Sequence, residues 1–400
     1  MLVQFRLKNV LSFKNETVLD MTAVNAYKEH ESNVIDIGIK EKFLRVAAIY
    51  GANASGKSNL YYAMYYFQKI VAKSFDNVDD GRENAISEYF VPFLFDEDDE
   101  NSEFEIIEII GDYEYKYGFE YNQDAVVSEW MYRKNIHTNR NSVIIERFEN
   151  EIHFGPSVRK ACEIYKEQIP PETLALSFFN KLKLKTDVFN VMYSAIMDIM
   201  IVPVGLYENK DVLKKFLPNT IDKEKDKLIE FLTAIDTGII DIEYEKNEKN
   251  EKDVYFYTTH RGKNKETYSL NLLDESEGTI RSIAIYMNVR TAILKNKSLF
   301  VDELNIKLHP LLLKFIVDLF YHSDSMAQLL YTTHDTTLMD KKFFRRDQIW
   351  FVQKDEYGYS ELSALSDFKV RSDASFEKDY LAGVYGGIPL LREFDVREGE

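Results

Sequence analysis

Apolar and polar residues alternate in several short stretches of the first half, which is the pattern of half-buried strands. Strands are predicted over Val3–Leu7, Thr17–Met21 and Arg45–Tyr50, and the last of these is apolar enough to be buried on both faces. Further along, alternation in Phe104–Ile106 and Tyr113–Tyr121 predicts antiparallel strands. The first half is therefore expected to be rich in β-structure.

Helices are predicted where apolar residues recur every three or four positions. After the strand at Tyr50, this spacing is kept by Leu60, Met64, Phe67 and Val71. A second amphipathic helix is predicted after residue 279, with inward positions at Ile280, Ile283, Ala284 and Met287.

Three segments break these patterns. Residues 96–105 are strongly acidic and are expected to form a solvated turn. Residues 157–230 lose the strand pattern and carry Lys-rich, helix-like stretches, which predicts a helical insertion. Residues 240–258 alternate on either side of a charged run, which predicts a hairpin with a charged tip.

Composition and charge narrow the class of protein. The 400 residues carry 50 Lys and Arg against 67 Asp and Glu, a net charge of −17, so a surface devoted wholly to nucleic acid is not expected. The single cysteine, Cys162, excludes intrachain disulfides and multi-cysteine metal sites. The start of the chain lacks the apolar core of a signal peptide, and the apolar stretch 191–206 is interrupted by Asp198 and Pro203. A cytoplasmic protein without a membrane span is expected.

The strongest chemical signal is Gly-Ala-Asn-Ala-Ser-Gly-Lys-Ser at residues 51–58, which matches the Walker A pattern. Glycines let the backbone turn so that successive N–H groups point at phosphate oxygens, at the positive end of a helix. Lys57 is expected to reach the β- and γ-phosphates, and the Ser58 hydroxyl to bind Mg²⁺. The residues predicted to hold the nucleotide are Gly51, Asn53, Ala54, Ser55, Gly56, Lys57, Ser58 and Asn59.

A second signal is Ser-Leu-Phe-Val-Asp-Glu at residues 298–303. An apolar strand that ends in an acid is the Walker B arrangement, which places Asp302 in the Mg²⁺ coordination shell. Glu303 is then suited to polarise an attacking water. Read alone, the motif also fits a strand that simply meets solvent.

Two further segments fit the same kind of site. Ser276, Gly278 and Thr279 form a turn at the start of a predicted helix, which is a second position that could bind an anion. ABC ATPases have their signature sequence at this place in the chain. The alternative interpretation is an ordinary helix N-cap. His334 ends a strand after Walker B, where ABC ATPases have a γ-phosphate-sensing histidine; a structural role is the alternative. His309 is interpreted as an interface or helix-start residue rather than a catalytic one.

These four elements in this order resemble the ABC-type heads of SMC-like and RecF-like proteins and of the OLD nucleases. A narrower resemblance is to the RloA/AbiLi-type ATPases of bacteria, and the AriA ATPase of PARIS systems, the PtuA ATPase of Septu systems and the ATPase half of OLD proteins look related. The resemblance covers nearly the whole chain apart from the Lys-rich segment. It is carried by FRLKNVLSFKNETVLDM, GANASGKSNL, ESEGTIR, VDELNIKLHP, YTTHDTTLMD, RRDQIWFVQKD, ELSALSDFKVR and FEKDYLAGVYGGIP.

The resemblance implies an α/β P-loop NTPase of the ABC/SMC-head type, with a mixed sheet core, an antiparallel β subdomain and a helical insertion. Residues 1–154 and 238–400 would form the two halves of the head, and 155–237 the insertion. ATP and Mg²⁺ are the implied cofactors. Lys57 and Ser58 would hold phosphate and metal, Asp302 the metal, and Glu303 would be the base. Ser276–Thr279 would act on a second subunit's nucleotide, and His334 would be the switch.

The resemblance also implies partners. ATP-sandwiched heads would form a homodimer or a larger homo-oligomer, within a two-component anti-phage system of the abortive-infection kind. An effector from a neighbouring gene, a Toprim-like or related nuclease, is expected on another chain, because the stretch after His334 is shorter than the roughly 100 residues of a small domain. A phage-derived trigger stays open as a further partner.

Two departures and two alternatives remain. The strand glutamine of ABC transporters has no counterpart in residues 91–96, where Asp96 is the candidate, and the signature lacks the full Leu-Ser-Gly-Gly-Gln form. A RecF-like ATPase that clamps DNA is one alternative, and another ATP-gated interaction module, such as a toxin–antitoxin partner that only sequesters another molecule, is the second. Basic strips for DNA, which also fit solvated faces, are Lys181, Lys183 and Lys185, or Lys341, Lys342, Arg345 and Arg346.

Overall fold

The computed structural model describes residues 1–75, 84–95, 101–149, 151–182, 184–203, 210–247, 250–371 and 374–389. Its strands, in chain order, are β1 (Leu2–Lys8), β2 (Thr17–Asp20), β3 (Val34–Ile35), β4 (Phe43–Leu44), β5 (Val46–Gly51), β6 (Ser102–Ile110), β7 (Tyr113–Tyr121), β8 (Val126–Asn135), β9 (Asn141–Phe148), β10 (Glu151–Phe154), β11 (Met200–Val202), β12 (Ile239–Asn247), β13 (Asn250–Arg261), β14 (Thr267–Asn271), β15 (Ser298–Val301), β16 (Gln328–Thr332), β17 (Ile349–Lys354) and β18 (Ser360–Ala364).

The α-helices, in chain order, are α1 (Lys57–Lys73), α2 (Ala85–Glu88), α3 (Arg159–Cys162), α4 (Ala175–Lys181), α5 (Val188–Asp198), α6 (Lys210–Ala234), α7 (Glu277–Lys295), α8 (Pro310–Tyr321) and α9 (Phe376–Leu381). In the part of the chain that the structure describes, every helix is too short or too polar to cross a bilayer.

The central sheet has the order β11-β15-β16-β5-β17-β18, and every neighbouring pair except β17–β18 is parallel. Alternate residues of its strands face two separate cores. On β5, Ala47 and Ile49 face α1, whereas Val46 and Ala48 face α7 and α8. Because both faces are covered, the strand is apolar throughout, as the sequence predicts.

A second sheet, antiparallel with the order β10-β9-β8-β7-β6-β1-β2, covers the other side of α1. Aromatic rings from this sheet pack around Phe67 of α1, which stacks on Phe119 at 5.7 Å and meets Phe5 and Phe104 edge-on or tilted. The helix is therefore buried between the two sheets, with Leu60, Met64, Phe67 and Val71 inward as predicted.

The acidic stretch 96–105 is not wholly a turn, because β6 begins at Ser102. Glu103 and Glu105 extend along this strand and pair with Arg6 of the neighbouring β1. The expected solvated turn is therefore wrong for the last four residues, since a cross-strand guanidinium neutralises the acidic side chains.

The Lys-rich segment predicted as a helical insertion contains α4, α5 and α6 but also the strand β11. Met200–Val202 pairs in parallel with Leu299–Val301 and forms an edge of the central sheet. Phe179 and Phe189, from α4 and α5, join the same core as α1. The first part of this segment is thus integrated into the head, and the division at residues 154 and 237 stays a prediction.

The predicted hairpin is confirmed as β12 and β13, to which β14 adds a third strand. One face of this small sheet packs on α6 and α7 through a third apolar cluster that includes Ile242, Phe256 and Phe231. Together, the mostly parallel central sheet, the antiparallel sheet and the helices packed on them make this an α/β fold with a mixed sheet core and an antiparallel β subdomain, as the sequence predicts.

A buried glutamine joins the sheets. Gln328, at the start of β16, is fully buried. Its Oε1 accepts from Leu2 N–H at 2.8 Å and from the Ser298 hydroxyl at 2.9 Å. Its Nε2 donates to the carbonyls of Leu2 and Leu44 at 3.0 and 3.1 Å. One side chain thus satisfies backbone groups of β1 and β4 and a side chain of β15.

We expect Gln328→Leu to lower the free energy of unfolding by about 3 kcal/mol, because several buried polar groups lose their partners. Urea denaturation followed by circular dichroism would measure the change. The matched control is Gln168→Leu, since Gln168 is exposed and donates only to Ile164. A Gln328 variant as stable as the control would show that the hydrogen bonds of Gln328 contribute little to the free energy of unfolding.

Candidate functional site

The segments that carry chemistry meet at one edge of the central sheet. The strand β5 ends at Gly51, β15 at Val301 and β16 at Thr332. Val301 is paired with Tyr331, and Thr332 with Ile49, so the three strands run in register and in one direction. The loops that follow these strands therefore lie side by side, which is the usual place of a ligand site in a parallel sheet.

The loop between β5 and α1 turns tightly through two residues in the left-handed region of backbone conformation. Ala54 and Gly56 have positive φ values of 61° and 115°, and the helix begins directly afterwards at Lys57. A side chain at Gly51 would place its Cβ 2.6 Å from Ser55 Oγ, so only glycine fits there. Ser55 Oγ is buried and has no hydrogen-bond partner among the described residues, as expected of a donor that awaits an acceptor.

Lys57 folds back into this loop. Its Nζ donates to the carbonyls of Gly51 and Ala52, both at 2.9 Å, and the residue is only 5% exposed. Burial lowers the pKa of Lys57 to about 8, although the nearby carboxylates of Glu303 and Asp302 oppose this shift. The loop therefore holds a lysine that is charged at neutral pH and loses its charge as the pH rises through about 8.

Two serines from distant parts of the chain support the loop. Ser360 Oγ, at the start of β18, lies 2.7 Å from the Ser55 carbonyl and 2.7 Å from Ser12 Oγ. Asn59 of α1 donates to the same Ser12 hydroxyl at 2.7 Å. A Cβ at Gly56 would lie 2.9 Å from Ser12 Oγ, so this small residue lets the supports approach.

Asp302 and Glu303, which follow β15, are bridged by the hydroxyl of Thr332. This hydroxyl donates to Asp302 Oδ1 at 2.6 Å and accepts from the Glu303 N–H at 2.7 Å. Asp302 is 5% exposed and Thr332 is fully buried. The bridge fixes both carboxylate-bearing residues against the neighbouring strand.

His334, two residues beyond β16, faces Glu303. His334 Nε2 lies 3.9 Å from Glu303 Oε1, and both side chains are about one-third exposed. Burial, and then the positive charge of Lys57, lower the pKa of His334 below its usual value. A histidine with a lowered pKa is neutral at pH 7, so it offers one N–H donor and one acceptor at this edge.

The predicted signature turn lies at the start of α7. Ser276 is the N-cap of this helix and accepts from the Thr279 N–H at 3.1 Å. The N-cap alternative is therefore correct as a structural description, and Ser276 is also exposed. Glu275, just before it, is anchored to β13 by the hydroxyl of Thr258 and by His260 Nε2 at 2.6 Å.

The first turn of α7 also contacts the turn after β15. Arg281 Nη2 donates to the Glu303 carbonyl at 2.7 Å, and Lys307 Nζ pairs with Glu277 at 3.1 Å. A Cβ built on Gly278 would lie 3.0 Å from the Lys307 carbonyl, which shows how closely the two backbones approach.

The donor set fits Mg²⁺ bound with a nucleotide. Asp302 supplies a buried carboxylate beside the loop, and Ser58 supplies a hydroxyl from the first turn of α1. Within the described residues, no cluster of three or more His, Cys, Asp or Glu side chains could hold a metal by itself. That is compatible with Mg²⁺, which takes one or two protein ligands together with phosphates and water.

Other residues singled out in the sequence have different positions. His309 is the N-cap of α8 and accepts from the Leu311 N–H at 3.2 Å, which confirms the helix-start interpretation. Arg345 is 3% exposed and forms two hydrogen bonds with Asp347, so it is neither a solvated nor a DNA-contacting residue. Asp96 and Lys183 lie outside the described residues.

Sequence patterns did not identify Thr332, Arg281, Ser12 or Ser360 as parts of this site. Thr332 stands within Tyr-Thr-Thr-His and Arg281 ends Glu-Ser-Glu-Gly-Thr-Ile-Arg, so both were inside recognised segments. Their roles depend on contacts across strands and helices, which spacing along the chain does not reveal.

Comparison with known proteins agrees with a nucleotide-binding site. Residues 46–340 match the family described as "AAA domain, putative AbiEii toxin, Type IV TA system". The chain belongs to this family, and it is accordingly an ATPase-type P-loop protein. No curated protein sequence shows a significant match.

Two solved structures are similar in fold. The structure of an SMC head bound to the C-winged helix domain of ScpA is 15% identical, with 94% of this chain and 99% of that chain covered and a TM-score of 0.45. The SMC head domain from Thermotoga maritima is 12% identical, with 91% and 98% covered and a TM-score of 0.40.

We expect the affinity for ATP to fall as the pH rises through about 8, because phosphate groups bind the charged form of Lys57. Binding should raise the pKa of this lysine, so the protein should take up a proton above that pH. Titration calorimetry in buffers of different ionisation enthalpy would measure the uptake. The control variant Lys57→Met should show no proton uptake. Equal proton uptake by both proteins would contradict the assignment of this titration to Lys57.

Thr332→Val should lower the rate of ATP hydrolysis by about tenfold or more, because Asp302 and the Glu303 N–H lose the hydroxyl that joins them. Thr333→Val is the matched control, since Thr333 is equally buried but its hydroxyl accepts from Asp335. Steady-state phosphate release would be compared for the two variants. Equal rates would show that the Thr332 bridge is not needed for turnover.

Proposed function

We propose that this protein is an ATP-binding and ATP-hydrolysing sensor and scaffold of a two-component anti-phage system, and that it controls a separate effector, a nuclease. The observation that supports it best is the grouping of Lys57, Asp302, Glu303 and His334 at one edge of the sheet. His334 Nε2 lies 3.9 Å from Glu303 Oε1. The charges of Asp302 and Glu303 oppose the lowering of the pKa of both Lys57 and His334 by burial, so the four groups share one electrostatic environment.

The residues have complementary roles in this proposal. Backbone N–H groups of residues 53–58 and the Lys57 ammonium would bind the phosphates, and Ser58 with Asp302 would hold Mg²⁺. When bound, the metal would neutralise negative charge on the phosphate groups. Glu303, whose Oε1 lies 3.9 Å from His334 Nε2, would accept a proton from the attacking water, and a ring N–H of His334 would donate a hydrogen bond to the γ-phosphate.

A second copy of the chain would complete the site. The signature turn is open to solvent at Ser276 and Glu277, and it carries the N–H groups of a helix N-terminus. We infer that ATP brings two heads together, with each turn 276–279 covering the nucleotide of the other chain. Hydrolysis would then separate the heads or rearrange a larger homo-oligomer.

Control of an effector is supported by the family to which the chain belongs. Its description names an AAA domain together with a putative AbiEii toxin and a type IV TA system, and we infer from it that this chain works with a second protein. An ATP-dependent change between separate and joined heads would let this chain hold a nuclease inactive and release it when a phage component binds.

Glu303→Gln should trap the ATP-bound assembly, because it keeps the shape of the side chain but removes the base. We expect turnover to fall by about a hundredfold or more while ATP still binds. Light scattering after chromatography in Mg-ATP should show an assembly larger than the ATP-free protein. Glu356→Gln, at an exposed position between β17 and β18, is the control. An unchanged size in the trapped variant would contradict the sandwich.

The partner can be identified by purifying the tagged chain with Mg-ATP from cells that carry its neighbouring genes. We expect a nuclease-like protein to be recovered in stoichiometric amount and identified by mass spectrometry. Recovery of the chain alone, or with DNA and repair proteins, would contradict effector control.

A further inference from the structure

The backbone of Glu303 has a conformation that needs support. Its φ is 49°, in the left-handed region that residues other than glycine seldom adopt. The N–H donates to Thr332 Oγ1 at 2.7 Å, and the carbonyl accepts from Arg281 Nη2 at 2.7 Å and from the Ile306 N–H at 3.2 Å. Since the side chain projects from this peptide, its direction depends on these hydrogen bonds.

Arg281 brings this support from the signature helix. It lies on α7, five residues after the N-cap Ser276, and is 2% exposed. The same helix turn contacts the residues after Glu303 through the Glu277–Lys307 ion pair and the close approach of Gly278 to the Lys307 carbonyl. The start of α7 and residues 303–307 therefore form one packed unit within a chain.

We propose that Arg281 is a positioning residue that fixes the backbone of Glu303, and that it thereby makes hydrolysis at one chain's P-loop depend on the state of the same chain's signature turn. This inference rests on the proposed sandwich of two heads. There, the signature turn of a chain faces the nucleotide of its partner, whereas Glu303 acts on the nucleotide of its own chain.

The chemistry of the contact suits this role. The Arg281 guanidinium donates a charge-assisted hydrogen bond to a carbonyl in a partly buried position, and such a bond is stronger than a neutral one. When a phosphate binds at residues 276–279, it pulls on the first turn of α7, and Arg281 follows as part of the helix. Because coupling between two binding sites is reciprocal, the two nucleotides of a pair become linked through this residue.

The first test is Arg281→Met, with Arg281→Lys as the conservative variant. We expect kcat to fall by about tenfold to a hundredfold in Arg281→Met, because the carboxylate of Glu303 is displaced from the water. The Kd for ATP should stay within about twofold of the wild-type value, since Arg281 acts on the backbone of Glu303. Arg281→Lys, which keeps the charge, should recover part of the rate.

Arg290→Met is the matched control, because Arg290 lies on the same helix but pairs with Glu224 at 2.8 Å, away from Walker B. Its kcat should equal that of the wild-type protein. If Arg281→Met and Arg281→Lys lose ATP binding and thermal stability in parallel with kcat, the residue has only a structural role. If the folded Arg281→Met protein keeps its kcat, the positioning role is wrong.

The second test uses mixed assemblies and leaves Arg281 intact. A Lys57→Met chain keeps its signature turn but lacks the lysine of its P-loop. Pairs of one Lys57→Met chain and one wild-type chain would be isolated with two affinity tags. In such a pair the signature turn of the Lys57→Met chain covers the nucleotide of the wild-type chain, whereas the signature turn of the wild-type chain faces a P-loop without nucleotide. We expect turnover per wild-type P-loop to fall by about fivefold or more in such pairs. Unchanged turnover per P-loop would overturn the coupling.

The outcomes separate this inference from the proposed function. Failure of Glu303→Gln to form an ATP-trapped assembly would overturn the sandwich, and the coupling with it. A trapped Glu303→Gln assembly, together with unaffected Arg281 variants and unaffected mixed pairs, would overturn only the coupling.

Discussion

Parallel pairing of β16 with β5 and with β15 is the constraint on which the site depends. Register places Thr332 beside Ile49 and Tyr331 beside Val301, so three loops that are distant in sequence open at one edge. Burial of both faces of these strands keeps the register, because a shift of one residue would move every side chain of a strand from one core to the other. The P-loop, the carboxylates and His334 are therefore brought together by strand pairing.

Much of this arrangement could be predicted from the sequence, because it is local. Three patterns predict their elements from a few neighbouring residues. They are the apolar run of β5, the spacing of Leu60 and Phe67 on α1, and the alternation of β12 and β13. The strand β11 could not be recognised, because Met200–Val202 is short and lies among Lys-rich helices. Its partner strand stands about one hundred residues later in the chain, and pattern alone does not name it.

The candidate site was predicted to a similar extent. Residues expected to contact a nucleotide belong to recognisable motifs, since phosphate chemistry demands glycines, a lysine and acids at set spacing. The residues that hold those groups in place are ordinary in type: a threonine at Thr332, serines at Ser12 and Ser360, a glutamine at Gln328. Each acts through a hydrogen bond across the fold, so its importance follows from geometry and not from sequence context.

The support of the P-loop by Ser12 and Ser360 has a consequence for how the protein is made. These two hydroxyls lie 348 residues apart in the chain yet 2.7 Å apart in space, and Ser360 also contacts the Ser55 carbonyl. During synthesis the Walker A segment leaves the ribosome long before Ser360 does. A nascent chain therefore completes the support of this loop only after β18 has been synthesised, and contacts of such long range favour slow, late folding. A ribosome-bound fragment that stops short of β18 would carry the Walker A sequence without the support that shapes its loop.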